Sequence, residues 1–107
     1  MENEIRNNSG ISEPSFEVIL NVFKDFPEIE SAVLFGSRAL GTFKKGSDID
    51  IAIYGPNLTP QTSLSISSKL NESTPIPYYI DIVAPKFLDS TSLIEHIKRV
   101  GKIIYTA

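Results

Sequence analysis

Apolar residues recur along this chain at two different spacings, and the switches between them predict its elements. Phe16, Ile19, Leu20 and Phe23 follow the i, i+3, i+4, i+7 pattern of one buried helical face. Ser12 supplies an N-cap, Pro14 sits in the first turn, where its missing N–H costs least, and Pro27 stops the helix. Residues 31–35 are a short apolar run ending at Gly36, which predicts a central strand. Residues 37–40 suit a brief helical turn, and the polar stretch 42–47 a loop. Over residues 48–54 the pattern alternates strictly, with Ile49, Ile51 and Ile53 on one side and Asp48, Asp50, Ala52 and Tyr54 on the other.

Further on, Thr59 caps a helix with Pro60 at its first position, and this helix runs to about Asn71. Residues 78–84 form a third strand, closed by Pro85. Ser90 or Ser92 caps a last helix with Leu93, Ile97 and Val100 as its apolar stripe, and Gly101 ends it. Residues 102–105 are then expected to be a short extended tail. The order predicts an α/β (α+β) fold, a small three-stranded mixed sheet flanked by about four helices.

Composition narrows the function more than the fold. The chain has 107 residues, enough for one core, so a loose tail over residues 1–12 and a single domain over 13–107 are expected. Ten Lys and Arg against thirteen Asp and Glu give a net charge of −3, which argues against general nucleic-acid binding, because that affinity needs clustered positive charge. Cysteine is absent, which removes disulfides, zinc–thiolate sites and thiol nucleophiles. No apolar run reaches the ~20 residues of a membrane span, and residues 1–10 do not read as a signal peptide. A cytoplasmic protein is the expectation.

Three acids stand where acids are costly. Asp48 and Asp50 lie on one side of a strand whose other side is isoleucine, ~6–7 Å apart at ~3.3 Å per residue. Asp81 is flanked by Ile80 and Ile82. If its strand neighbours the other, three carboxylates converge, and like charges that close disfavour one another unless a cation joins them. An all-oxygen set with no His or Cys suits Mg²⁺, or Mn²⁺, and two ions can clamp the attacking and leaving oxygens of an in-line displacement. Gly36 and Ser37, at a strand end, can present backbone N–H groups and a hydroxyl to phosphate.

An apolar residue, Gly36-Ser37, about ten residues, then Asp48-Ile49-Asp50 and a later strand Asp81 resemble the polymerase-β-like nucleotidyltransferase superfamily. Residues 34–41 and 46–53 look especially like its minimal nucleotidyltransferases. The similarity extends through residues 79–82 to the ending at 97–105. The resemblance implies that Gly36 and Ser37 bind the triphosphate and that Asp48, Asp50 and Asp81 are the metal-binding catalytic carboxylates. It implies transfer of a nucleoside monophosphate, with ATP the favoured NTP, and a small helical partner of the HEPN type whose hydroxyl is the acceptor. Many relatives carry a second arginine where this chain has Leu40. Homo-oligomerisation is open. The rival reading is an antitoxin-like module that neutralises its partner by binding alone.

Around this centre, Arg38 contacts phosphate or partner, or is simply solvated. Lys44 and Lys45 read as a solvated loop tip, and Ser47 as a local hydrogen-bonding residue that fixes the entry to Asp48. Tyr54 and Tyr79 either line the nucleotide site or pack. His96, the only histidine, is assigned to the face opposite the Leu93–Ile97 stripe, exposed and uncatalytic.

Overall fold

The computed structural model describes residues 8–107; most of the expected tail, residues 1–7, lies outside the described residues. The elements run α1 (Glu13–Lys24), β1 (Ser31–Phe35), α2 (Gly36–Leu40), β2 (Ile49–Tyr54), α3 (Pro60–Glu72), β3 (Ile80–Val83), a 3₁₀ turn (Pro85–Phe87), α4 (Thr91–Val100) and β4 (Lys102–Thr106). The caps lie where side-chain chemistry puts them. The hydroxyl of Ser12 accepts from the N–H of Ser15 at 3.3 Å, Thr59 from Thr62 at 3.1 Å, and Ser90 from Leu93 at 3.3 Å.

Among the described residues the sheet has four strands, ordered β3-β2-β1-β4, not the three expected. The extended tail is the fourth strand, antiparallel to β1. Ala32 pairs with Tyr105 and Val33 with Ile103, so Ile104 is an extra residue at a β-bulge. The bulge breaks the period of two that would have announced the strand. Both Ile104 and Tyr105 pack into the main core, while Ile103 is 62% exposed on the edge. Strand β2 pairs antiparallel with β1 and parallel with β3, which makes the sheet mixed.

The two faces of the sheet are unequal. Helices α1 and α3 cover one face, burying Phe16, Ile19, Phe23, Ile66 and Leu70 against Leu34, Ile49, Ile51, Ile53 and Ile80. Each such side chain contributes about 1.5–3 kcal/mol of burial. On the other face α4 lays Ile97 over Phe35 and Ala52, with Val33, Tyr54, Val83, Leu93 and Val100 around them. The packed domain also starts earlier than residue 13, because Ser9 and Ile11 are buried. No helix among the described residues is long and apolar enough to cross a membrane.

Candidate functional site

The site forms at the end of the sheet where β1 leaves and β2 and β3 enter. Because β2 and β3 are parallel and in register, Asp50 stands directly opposite Asp81, just as Ile49 stands opposite Ile80. Isoleucines at 49 and 80 point into the main core, so the aspartates at 50 and 81 point to the α4 face. Asp48 precedes β2 by one residue and shares the side of Asp50. It is exposed, whereas Asp50 and Asp81 are half-buried.

These three carboxylates act on one another. Asp50 is pushed from 3.8 up to about 6, first by burial, then by the negative charges of Asp81 and Asp48; His96 and Arg38 pull weakly the other way. No three acidic or imidazole side chains among the described residues are already gathered closely enough to hold an ion. Their backbones nevertheless stand on adjacent strands, with Asp50 and Asp81 in register. The donor set, all carboxylate oxygen, partly desolvated and mutually repelling, fits a hard divalent cation.

Gly36 lies against this set. Its φ is +71°, and a Cβ there would collide with Oδ2 of Asp50. Only glycine therefore lets the chain turn from β1 into α2 beside the carboxylate. Ser37 follows, half-buried at the start of α2, and its carbonyl accepts from the N–H groups of Gly41 and Thr42 at 2.9 and 3.0 Å. Phe35, opposite Asp50 in register, floors the site.

Arg38 is only 3% exposed, so it is not the solvated residue of one sequence reading, and three of its five N–H donors bond to backbone carbonyls of this chain. Nε and Nη2 donate to the carbonyl of Ser47 at 3.2 and 2.8 Å, and Nη1 donates to the carbonyl of Ser9 at 2.9 Å. The guanidinium carbon lies 4.9 Å from the Phe43 ring centre and 4.5 Å from that of Tyr78. Ser47 has the local role its position suggests, its hydroxyl accepting from the N–H of Lys44 at 2.8 Å. Lys44 and Lys45 are exposed, as is Leu40.

His96 also stands elsewhere than the sequence placed it. It is half-buried, its ring meeting Phe35 edge-on at 6.1 Å, and close enough to Asp50 for its charge to be felt. Position 96 is i+3 from Leu93 and i−4 from Val100, so it flanks the apolar stripe. Tyr54 packs with the α4 cluster, and burial raises its hydroxyl pKa. Tyr79, two residues before Asp81, is 56% exposed.

Sequence reasoning missed Asn71 altogether. From the last turn of α3 its Nδ2 donates to the carbonyl of Ile80 at 2.8 Å, and its Oδ1 accepts from the N–H of Ile80 at 2.8 Å. The side-chain amide thus replaces a neighbouring strand on the free edge of β3, next to Asp81. An asparagine at the end of a serine-rich helix was the only available signal.

Comparison with known proteins supports the family and the fold. The family model described as Polymerase beta, Nucleotidyltransferase matches residues 17–107. A toxin–antitoxin solved with AMP-PNP is 26% identical, with a TM-score of 0.70 over 86% of this chain and 73% of the other. A mutant of the MntA–HpeT toxin–antitoxin is 27% identical, with a TM-score of 0.68 over 85% and 72%. A tri-AMPylated HEPN toxin of Shewanella oneidensis in complex with its MNT antitoxin is 23% identical and shares the fold, with a TM-score of 0.66 over 89% and 72%. No curated protein gives a significant match.

Proposed function

Because this chain belongs to the polymerase-β nucleotidyltransferase family, we propose that it moves AMP from ATP to a hydroxyl of a HEPN-type partner protein and so acts as an enzymatic antitoxin. The observation that carries the reading is the in-register pairing of Asp50 with Asp81 on parallel strands, with Asp48 on the same side. The relative in complex with a tri-AMPylated HEPN toxin supports the choice of acceptor, and the one solved with AMP-PNP supports an adenine nucleotide.

Asp48, Asp50 and Asp81 would hold Mg²⁺, two ions by the logic of an in-line displacement, with Mn²⁺ an alternative. When bound, the metal neutralises phosphate charge and makes the acceptor hydroxyl more acidic. The chain's own residues supply the rest. Gly36 leaves the carboxylate side of β1 open to a triphosphate, and Ser37 offers it a hydroxyl and an N–H. Asp81, on the strand farthest from Gly36, takes the proton of the acceptor hydroxyl. The acceptor oxygen bonds to the α-phosphorus, the α–β anhydride bond breaks, and pyrophosphate leaves with the displaced electron pair. Positioning and charge stabilisation account for most of the acceleration.

Incubating the protein with ATP, Mg²⁺ and the product of the neighbouring gene tests the reading by mass spectrometry of that product. One or more added AMP units are expected with wild type and none with Asp48→Asn. A wild type that adds nothing, yet protects cells as well as Asp48→Asn does, would leave only binding.

A further inference from the structure

Arg38 is the most deeply buried charge among the described residues, and desolvating a guanidinium costs several kcal/mol unless its surroundings repay it. Its surroundings come from three separate parts of the chain. They are Ser9 before α1, the ring of Phe43 with the carbonyl of Ser47, and the ring of Tyr78 before β3. Two of these adjoin the carboxylates: Ser47 is bonded to Asp48, and Tyr78 lies three residues before Asp81. Arg38 itself is next to Ser37. One side chain thereby links the phosphate turn, the first carboxylate and the strand that carries the third.

The N-terminal partner is shaped for this contact. Gly10 has φ +72°, and a Cβ on it would collide with the Phe43 ring and approach Nη1 of Arg38 to 2.9 Å. The hydroxyl of Ser9 accepts from the N–H of Ile11 at 3.2 Å, which holds the segment in its turn. A guanidinium is needed because Nε and Nη2 fork onto one carbonyl while Nη1 reaches another. An ammonium keeps the charge but has no such fork.

We infer that Arg38 is a positioning residue for nucleotidyl transfer: it clamps residues 9–10, 43–47 and 78 together so that Asp48 and Asp81 stay at a fixed separation beside Ser37. The inference rests on the transfer reading above. It assigns the segment at residues 9–10 to the frame of the site, and it means that Arg38 does not touch phosphate.

Arg38→Lys and Gly10→Ala test it, each first shown to be folded by circular dichroism and thermal melting. With wild-type transfer as the reference, Arg38→Lys should lower kcat about 10–100-fold while KM for ATP stays within about threefold, as for other residues that orient metal ligands. Gly10→Ala, which touches no substrate, should lower kcat about threefold to tenfold by the same route. Independently of turnover, a Mn²⁺ titration read by electron paramagnetic resonance in the presence of AMP-PNP should show at least about fivefold weaker binding in Arg38→Lys. A kcat that holds while KM for ATP climbs at least about tenfold would make Arg38 a phosphate ligand instead. Unchanged kcat and Mn²⁺ affinity in both variants, with only a lower melting temperature, would reduce it to structural support. If the wild type transfers nothing, the functional reading fails on its own, and the clamp is judged by the Mn²⁺ affinity alone.

Discussion

The two faces of the sheet divide stability and chemistry between them. The α1/α3 face is continuous hydrocarbon: Ile49, Ile51, Ile53 and Ile80 are all essentially inaccessible, and two phenylalanines fill the space above them. The α4 face, from the same strands one residue out of step, holds a small cluster of Phe35, Ala52 and Ile97 and then gives way to Asp50 and Asp81. The period of two in β2 therefore serves both purposes in one strand. The comparison teaches that the site is a source of repulsion tolerated because the opposite face stabilises the strands independently.

Asp50→Asn should show the widest separation between the two faces. Transfer should fall at least about a thousandfold, since the central carboxylate is lost. Stability without metal should move the other way. The folded chain holds the Asp50 proton more tightly than the unfolded chain does, with a pKa of about 6 against 3.8. The wild type therefore loses stability as pH rises from 3.8 through 6, and the loss is complete above that window. Allowing for solvent screening of this half-exposed group, the variant should be more stable than wild type by about 1 kcal/mol at pH 7 and equal to it below pH 3.8. Urea titrations at pH 3.5 and 7, with and without Mg²⁺, measure this. Equal stability of the two proteins at pH 7 would mean that neither burial nor the neighbouring carboxylates disfavour the Asp50 charge.

Phe23→Ala breaks the other face. Phe23 is fully buried and packs its ring against Tyr105 at 5.6 Å, so truncation should cost about 3–5 kcal/mol. The fraction that stays folded should still transfer AMP at close to the wild-type rate per molecule. A large loss in that specific rate would show that the core face tunes the site as well as supporting it.

What could be read from the sequence follows the range of each interaction. Caps and prolines act within four residues, so Ser12 and Thr59 mark their helices openly, and Ser90 is one of two candidates for the last helix. Asp48, Asp50 and Asp81 were visible as candidates because a charge among isoleucines violates the pattern of its own strand. The fourth strand was hidden because Ile104 and Tyr105 turn to the same side at a bulge. Arg38 was hidden because its partners lie 9 and 29 residues away and are backbone carbonyls, which leave no trace in side-chain patterns. His96 was misplaced by assigning it to the wrong flank of a helix only ten residues long.

Asn71 joins the two faces, and its substitution should have a moderate effect on both rather than a large effect on one. It belongs to α3, on the stabilising side, yet beside a bond to the carbonyl of Ser67 it makes two to Ile80, whose neighbour is Asp81. Asn71→Ala leaves one N–H and one C=O of an edge strand to water and should cost about 1–3 kcal/mol. Because β3 then loses this side-chain clamp on that edge, Asp81 should become less well held, and transfer should fall about tenfold with little change in KM for ATP. Asn71→Asp separates the two consequences. Its carboxylate still accepts from the Ile80 N–H but cannot donate to the carbonyl, and it adds a negative charge near Asp81. Activity should therefore drop further in Asn71→Asp than in Asn71→Ala, although the acid retains one of the two bonds. If instead the two variants lose activity strictly in proportion to stability, the edge of β3 would be part of the core alone, and the division between the faces would run along the strand rather than through Asn71.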